Sequence, residues 1–73
     1  MRKYLITLRK EKGLTQKALA QKLDISESYY SQIENGERQR RMDITLLDRL
    51  SIALNVSVHA LIKYESNYIK EDT

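Results

Sequence analysis

The chain has 73 residues, room for one hydrophobic core, and a domain of this size hides only about 60% of the surface its unfolded chain exposes, so a single domain of marginal stability is expected. It has no Cys, which removes disulfides and thiolate metal sites and suits a reducing, cytoplasmic compartment; its apolar runs are only a few residues long against the roughly 18 a membrane span needs, and no signal peptide is expected. The net charge of +3 is unevenly spread, with ten Lys or Arg against five Asp or Glu in residues 1–41 and three against five in residues 42–73, a basic end that fits an anionic partner or an ordinary solvated surface.

With no Pro, two Gly and no repeat or low-complexity stretch, the chain reads as successive helices joined by short polar turns, and nothing signals a β-hairpin. The first helix is expected from about residue 2 to residue 12, with Leu5 and Leu8 on one face and Gly13 ending it in the left-handed conformation. Four further starts share one signature: an apolar residue, a side chain able to cap, and a second apolar residue four positions after the cap. The sets are Leu14, Thr15 and Leu19; Ile25, Ser26 and Tyr30; Met42, Asp43 and Leu47; Val56, Ser57 and Leu61. In each, the cap oxygen accepts an otherwise unpaired backbone N–H and the apolar pair fixes the angle at which the chain enters the helix.

The second helix is expected over residues 16–23 with Leu19, Ala20 and Leu23 inward, and the third over residues 26–35. The fourth, over residues 44–54, turns Leu47, Leu50 and Leu54 inward, and the fifth starts at Val58 and buries Val58, Leu61 and Ile62. After Tyr64 the pattern fades. Residues 1–64 are therefore read as the domain and residues 65–73 as a short frayed tail, near which Tyr64 and Tyr68 share a helical face open to a partner.

Only Asp24 and Ile25 separate Leu23 from the cap at Ser26. So short a joint gives a sharp crossing turn, the spacing of a helix-turn-helix. On a wheel of the third helix Tyr30 and Ile33 face the core, while Ser28, Ser31, Gln32 and Asn35 make an opposite stripe that is polar, short and uncharged. Such side chains match base edges, and a helix of this width fits the major groove, although polarity alone describes an ordinary solvated face equally well.

The segment LTQKALAQKLDISESYYSQIENG resembles the phage repressor and Cro type of helix-turn-helix regulator, the XRE family, and the resemblance runs from about residue 5 to residue 62. It rests also on Arg9 ahead of Gly13-Leu14-Thr15-Gln16, on the Leu19-Ala20 pair, on Ile33-Glu34-Asn35-Gly36 and on Ala53-Leu54-Asn55-Val56-Ser57. The fold it implies is all-α, a compact five-helix bundle in which the second and third helices form the helix-turn-helix. The function it implies is sequence-specific binding of double-stranded DNA in transcription regulation.

Carried over residue by residue, the resemblance puts Gln16 against a phosphate at the start of the second helix and Ser26, Glu27, Ser28 and Gln32 against bases. Gln32 stands out, since its amide can pair with adenine through two hydrogen bonds. Glu27 equally suits a favourable charge in the first helical turn. Tyr29 touches a phosphate or packs on Gln16, two readings the sequence leaves open. Asn35, Arg38, Arg40 and Arg41 are phosphate candidates, in a loop about two residues longer than the family pattern and without its Pro. Asp24 stands where the family turn usually has Gly, and Asp tolerates a left-handed backbone better than most residues. Arg9 and Glu34 match a structural ion pair between the first and third helices.

The resemblance further implies a homodimer on a two-fold symmetric operator, each third helix in one of two successive major grooves, acting as a repressor. Asn55, Val56, Val58, His59 and Ile62 are the candidate interface. An alternative is an antitoxin, or a DNA-binding module of a longer protein, that works through a protein partner at the tail. An enzyme has no support in the sequence: His59 has no motif pairing it with a nucleophile or carboxylate, and no Gly-rich phosphate loop or metal-ligand spacing exists, so neither cofactor nor metal is expected. DNA binding would place the protein at the nucleoid.

Overall fold

The computed structural model describes the backbone of residues 1–72 and the side chains of residues 1–71. Within them lie five helices and no strand: α1 (Lys3–Glu11), α2 (Gln16–Lys22), α3 (Glu27–Asn35), α4 (Ile44–Leu54) and α5 (Val58–Asp72). All four cap signatures form as spaced. Thr15 Oγ1 accepts from Ala18 N, Ser26 Oγ from Tyr29 N, Asp43 Oδ1 from Leu46 N and Ser57 Oγ from Ala60 N. The apolar partners ahead of the caps, Leu14, Ile25, Met42 and Val56, pack against the core, so each start is held by a hydrogen bond and by apolar burial together.

The ends of α1 to α4 repeat one device. Gly13, Asp24, Gly36 and Asn55 have φ of 68°, 57°, 84° and 54°. Beyond each helix two successive N–H groups turn back onto its last carbonyls, as with Asp24 N to Gln21 O at 3.1 Å and Ile25 N to Ala20 O at 3.0 Å. This left-handed closure satisfies carbonyls that the helix itself leaves unpaired. Asn55, a candidate interface residue by sequence, therefore has a structural task of its own.

The core is built from Leu5, Leu8, Leu19, Ala20, Leu23, Tyr30, Ile33, Leu46, Leu50, Leu54 and Leu61. Leu50 is fully buried, and its truncation to Ala is worth about 2–5 kcal/mol. On α4 the deeper residue is Leu46, with Leu47 half-buried. On α5 the expected burial of Val58 and Ile62 does not hold: they are 37% and 45% exposed. The helix instead directs Leu61 and, one turn on, Glu65 to the interior, which leaves Val58 and Ile62 on the adjoining face.

The tail expected to fray from residue 65 is helix through Asp72. The cause is polar: Glu65 is buried, and both its carboxylate oxygens accept from Arg2, Oε1 from Nε at 2.9 Å and Oε2 from Nη2 at 2.8 Å. Tyr4 donates to the same carboxylate at 2.6 Å. The rings follow, with Tyr64 stacked on Tyr4 at 5.5 Å between centroids and the Arg2 guanidinium 4.9 Å from the centre of the Tyr68 ring. Tyr64 and Tyr68 are thus already engaged with the chain's own N-terminal residues. Residue 73, the last of the expected tail, lies outside the described residues. No single helix among the described residues is long and apolar enough to cross a membrane.

Candidate nucleic-acid interface

The interface is built on the angle between α2 and α3. Asp24 takes the left-handed conformation that the sequence demanded of it. Ile25 then tucks against the core, and Ser26 starts α3 after a joint of two residues. Tyr30 and Ile33 are fully buried, which fixes the rotation of α3 about its axis. Ser28 and Asn35 consequently stand exposed, with Ser31 and Gln32 half-exposed. The helix is nine residues long, or about 13 Å at 1.5 Å per residue.

Behind this face Glu34 ties three elements together. Its Oε2 accepts from Arg9 Nε at 2.7 Å and from the Tyr30 hydroxyl at 2.6 Å, and its Oε1 accepts from Gln16 Nε2 at 2.9 Å. Burial alone would push the Glu34 carboxyl up, but the donors from Arg9, Tyr30 and Gln16 outweigh it and hold the group below its ordinary value. The Arg9 guanidinium is raised in turn, first by its hydrogen bond to Glu34. Burial, then the bond to Glu34, pushes the Tyr30 phenol up. The Arg9 and Glu34 pair is therefore in place and buried, with α1 joined to α3 and Gln16 of α2 drawn in beside it.

The candidate side chains fall into three groups. Glu27, Ser28 and the half-exposed Gln32 lie along the first two turns of α3, where among the described residues the Ser28 hydroxyl and the Gln32 amide have no hydrogen-bond partner. Ser26 is exposed beside them, but its Oγ already accepts from Tyr29 N. Gln16 is half-buried and its amide nitrogen is committed to Glu34. Tyr29 does not hydrogen-bond Gln16: its phenol oxygen accepts from Gln39 Nε2 at 3.0 Å. The same amide donates to Asp43 Oδ2 at 3.2 Å, while Gln39 Oε1 accepts from Asp43 N at 3.1 Å.

Gln39 thereby pins the loop between α3 and α4 to both helices, with its own φ at 56°. Arg38, Arg40 and Arg41 project from that loop, exposed and, among the described residues, in no ion pair. Of the basic side chains in residues 1–41, Arg2 and Arg9 are consumed internally by Glu65 and Glu34. The exposed basic charge of that half is accordingly concentrated in its lysines and in these three loop arginines.

Sequence reasoning missed Arg2, Glu65 and Gln39. A signal for Glu65 existed: it follows Leu61 by four residues and so continues the inward stripe of α5. Away from the polar face, Ile44, Leu47, Val58 and Ile62 line an apolar groove between α4 and α5.

The family model described as helix-turn-helix matches residues 5–61. The HTH-type transcriptional regulator SinR of Bacillus subtilis (strain 168) is 42% identical over 62 residues, 82% of this chain and 55% of that protein. The control protein C.MunI of Mycoplasma sp is 38% identical over 55 residues, 74% of this chain and 72% of that protein. The HTH-type transcriptional regulator PrpR of Mycobacterium tuberculosis (strain ATCC 25618 / H37Rv) is 52% identical over 40 residues, 55% of this chain but 8% of that protein. The chain spans about half the length of SinR. No solved structure matches it.

Proposed function

The chain belongs to the helix-turn-helix family of DNA-binding transcriptional regulators, not to a family of enzymes, and from that premise we propose that it binds a two-fold symmetric operator as a homodimer and represses the promoter the operator overlaps. The observation that carries this reading is that, among the described residues, the side chains of Gln32 and Ser28 on the outer face of α3 have no hydrogen-bond partner, and Arg38, Arg40 and Arg41 of the loop that follows make no ion pair. The amide of Gln32 offers the donor and acceptor pair that adenine presents in the major groove, worth about 1–3 kcal/mol of discrimination. Ser26 and Ser28 contribute hydroxyl contacts, Ser26 with one of its two acceptor sites already taken by Tyr29 N. Glu27 serves the first turn of α3 as a favourable charge, or accepts from a cytosine amine.

Phosphates are held from both sides of α3. On one side Gln16 and the N-terminus of α2 meet the backbone; on the other stand the Tyr29 hydroxyl, Asn35 and the three loop arginines. These contacts set affinity and register without reading sequence. Size and apolar exposure support the dimer. The longest principal extent of the molecule is 30 Å, less than the roughly 34 Å between successive major grooves, so one copy serves one groove. The groove that Val58 and Ile62 line with Ile44 and Leu47 is the surface for the second copy.

The test is binding of the wild type and Gln32→Ala to a selected operator and to random duplex of the same length. Loss of preference at one base position in each half-site, with random binding unchanged, is expected; equal losses on both duplexes would remove Gln32 as a reader.

A further inference from the structure

Arg2 is fully buried, and every N–H of its guanidinium is used. Nε and Nη2 hold Glu65, Nη1 donates to Ile33 O at 2.7 Å and to Arg38 O at 3.2 Å, and Nη2 donates also to Gln39 O. Its backbone N–H binds Glu34 O at 2.7 Å. One side chain thus joins the start of α1, the last turn of α3, the loop after it and the second half of α5. The cation lies on the C-terminal carbonyls of α3, the negative end of that helix. Tyr68 covers it, with the phenol oxygen so close to Gly36 that a Cβ there would sit 2.5 Å away.

The two loop carbonyls give this clasp its meaning. A trans peptide is planar, with C=O and the next N–H pointing in opposite directions, and among the described residues there is no cis bond. With the carbonyls of Arg38 and Gln39 turned in to Arg2, the N–H groups of Gln39 and Arg40 are turned out. Neither donates to another backbone carbonyl among the described residues. We infer that Arg2 is a positioning residue for DNA binding: anchored by Glu65, it orients the α3–α4 loop so that two outward N–H groups and the side chains of Arg38 and Arg40 meet one stretch of phosphate backbone. This rests on the proposed role of that loop. It makes Glu65 of α5 a part of the DNA-binding apparatus through Arg2.

The experiment uses the full chain with Arg2→Lys, which keeps the charge but cannot make the planar set of bonds, and Glu65→Gln, which loosens the anchor. Both are assayed on random and selected duplex at a temperature where circular dichroism shows each fully folded. The expected result is a loss of about tenfold on both duplexes alike, with the salt slope lower by about one unit. The loss should shrink in an Arg38→Ala/Arg40→Ala background, because only the two backbone N–H groups are then left to position. Unchanged affinity and slope in the folded variants would overturn the inference while leaving the loop's role intact. If Arg38→Ala/Arg40→Ala alone leaves binding unchanged, the loop reading itself fails and the inference with it. Should neither variant fold, nuclear magnetic resonance of the wild type decides: on addition of random duplex the Arg2 side-chain N–H and the Gln39 and Arg40 amide signals shift together, or the inference is wrong.

Discussion

At the scale of single residues, Glu34 shows how one carboxylate fixes the geometry of α3. Folding lowers its pKa despite burial, because Arg9, Tyr30 and Gln16 all donate to it. Its contribution to stability is therefore complete above the unfolded value, about 4.3, and is lost as pH falls through the lower folded value. Glu34→Gln should cost about 3–5 kcal/mol at neutral pH, since Arg9 is left without its counter-charge. The gap between wild type and variant in urea denaturation should narrow as pH falls below about 4. A constant gap would mean that the carboxylate charge is not what matters. Gly36 offers a second test. Gly36→Ala meets both a left-handed backbone and the Tyr68 hydroxyl, so in denaturation its cost should fall when Tyr68→Phe is added, leaving the strain of φ alone.

At the scale of elements, α5 is where the sequence and the structure part. Helix starts were legible because caps are local: the oxygen at Thr15, Ser26, Asp43 or Ser57 meets an N–H three residues on. The end of α5 was not, because a Glu after Leu61 reads as surface unless its partner is known, and that partner is Arg2, 63 positions away. The loop hid Gln39 for a related reason, since nothing local marks it for a positive φ. The polar face of α3 was legible from the wheel, as Tyr30 and Ile33 settle its rotation, and the Arg9 and Glu34 pair was legible from the family resemblance alone. Truncation after Tyr64 provides the test at this scale. A frayed tail would be lost at little cost, whereas here the deletion strands the buried Arg2 charge. A loss of at least about 3 kcal/mol in chemical denaturation is expected.

At the scale of the molecule, the polar face of α3 and the apolar groove between α4 and α5 are two kinds of surface, the first proposed for DNA and the second for another copy of the chain. Ile62→Glu should abolish dimerisation, seen by sedimentation, without unfolding the domain, because Ile62 is 45% exposed. It should weaken operator binding far more than random binding. The whole fold should also be sensitive to alkali. Burial, reinforced by the hydrogen bonds to Glu65 and Glu34, raises the phenols of Tyr4 and Tyr30 above their usual value. Their contribution is complete below about pH 10, the unfolded value, and fades as pH rises beyond it. Ultraviolet titration should show these two phenols ionising only together with unfolding.

The central claim is that α3 reads base sequence from a dimer, and selection from a randomised duplex pool at near-physiological salt tests it most directly. The account predicts enrichment of a two-fold symmetric site with half-sites about one helical turn apart, whose affinity falls steeply with salt and whose symmetry is lost with Ile62→Glu. Retention of duplex with no sequence enriched, equally salt-sensitive for every member of the pool, would contradict it.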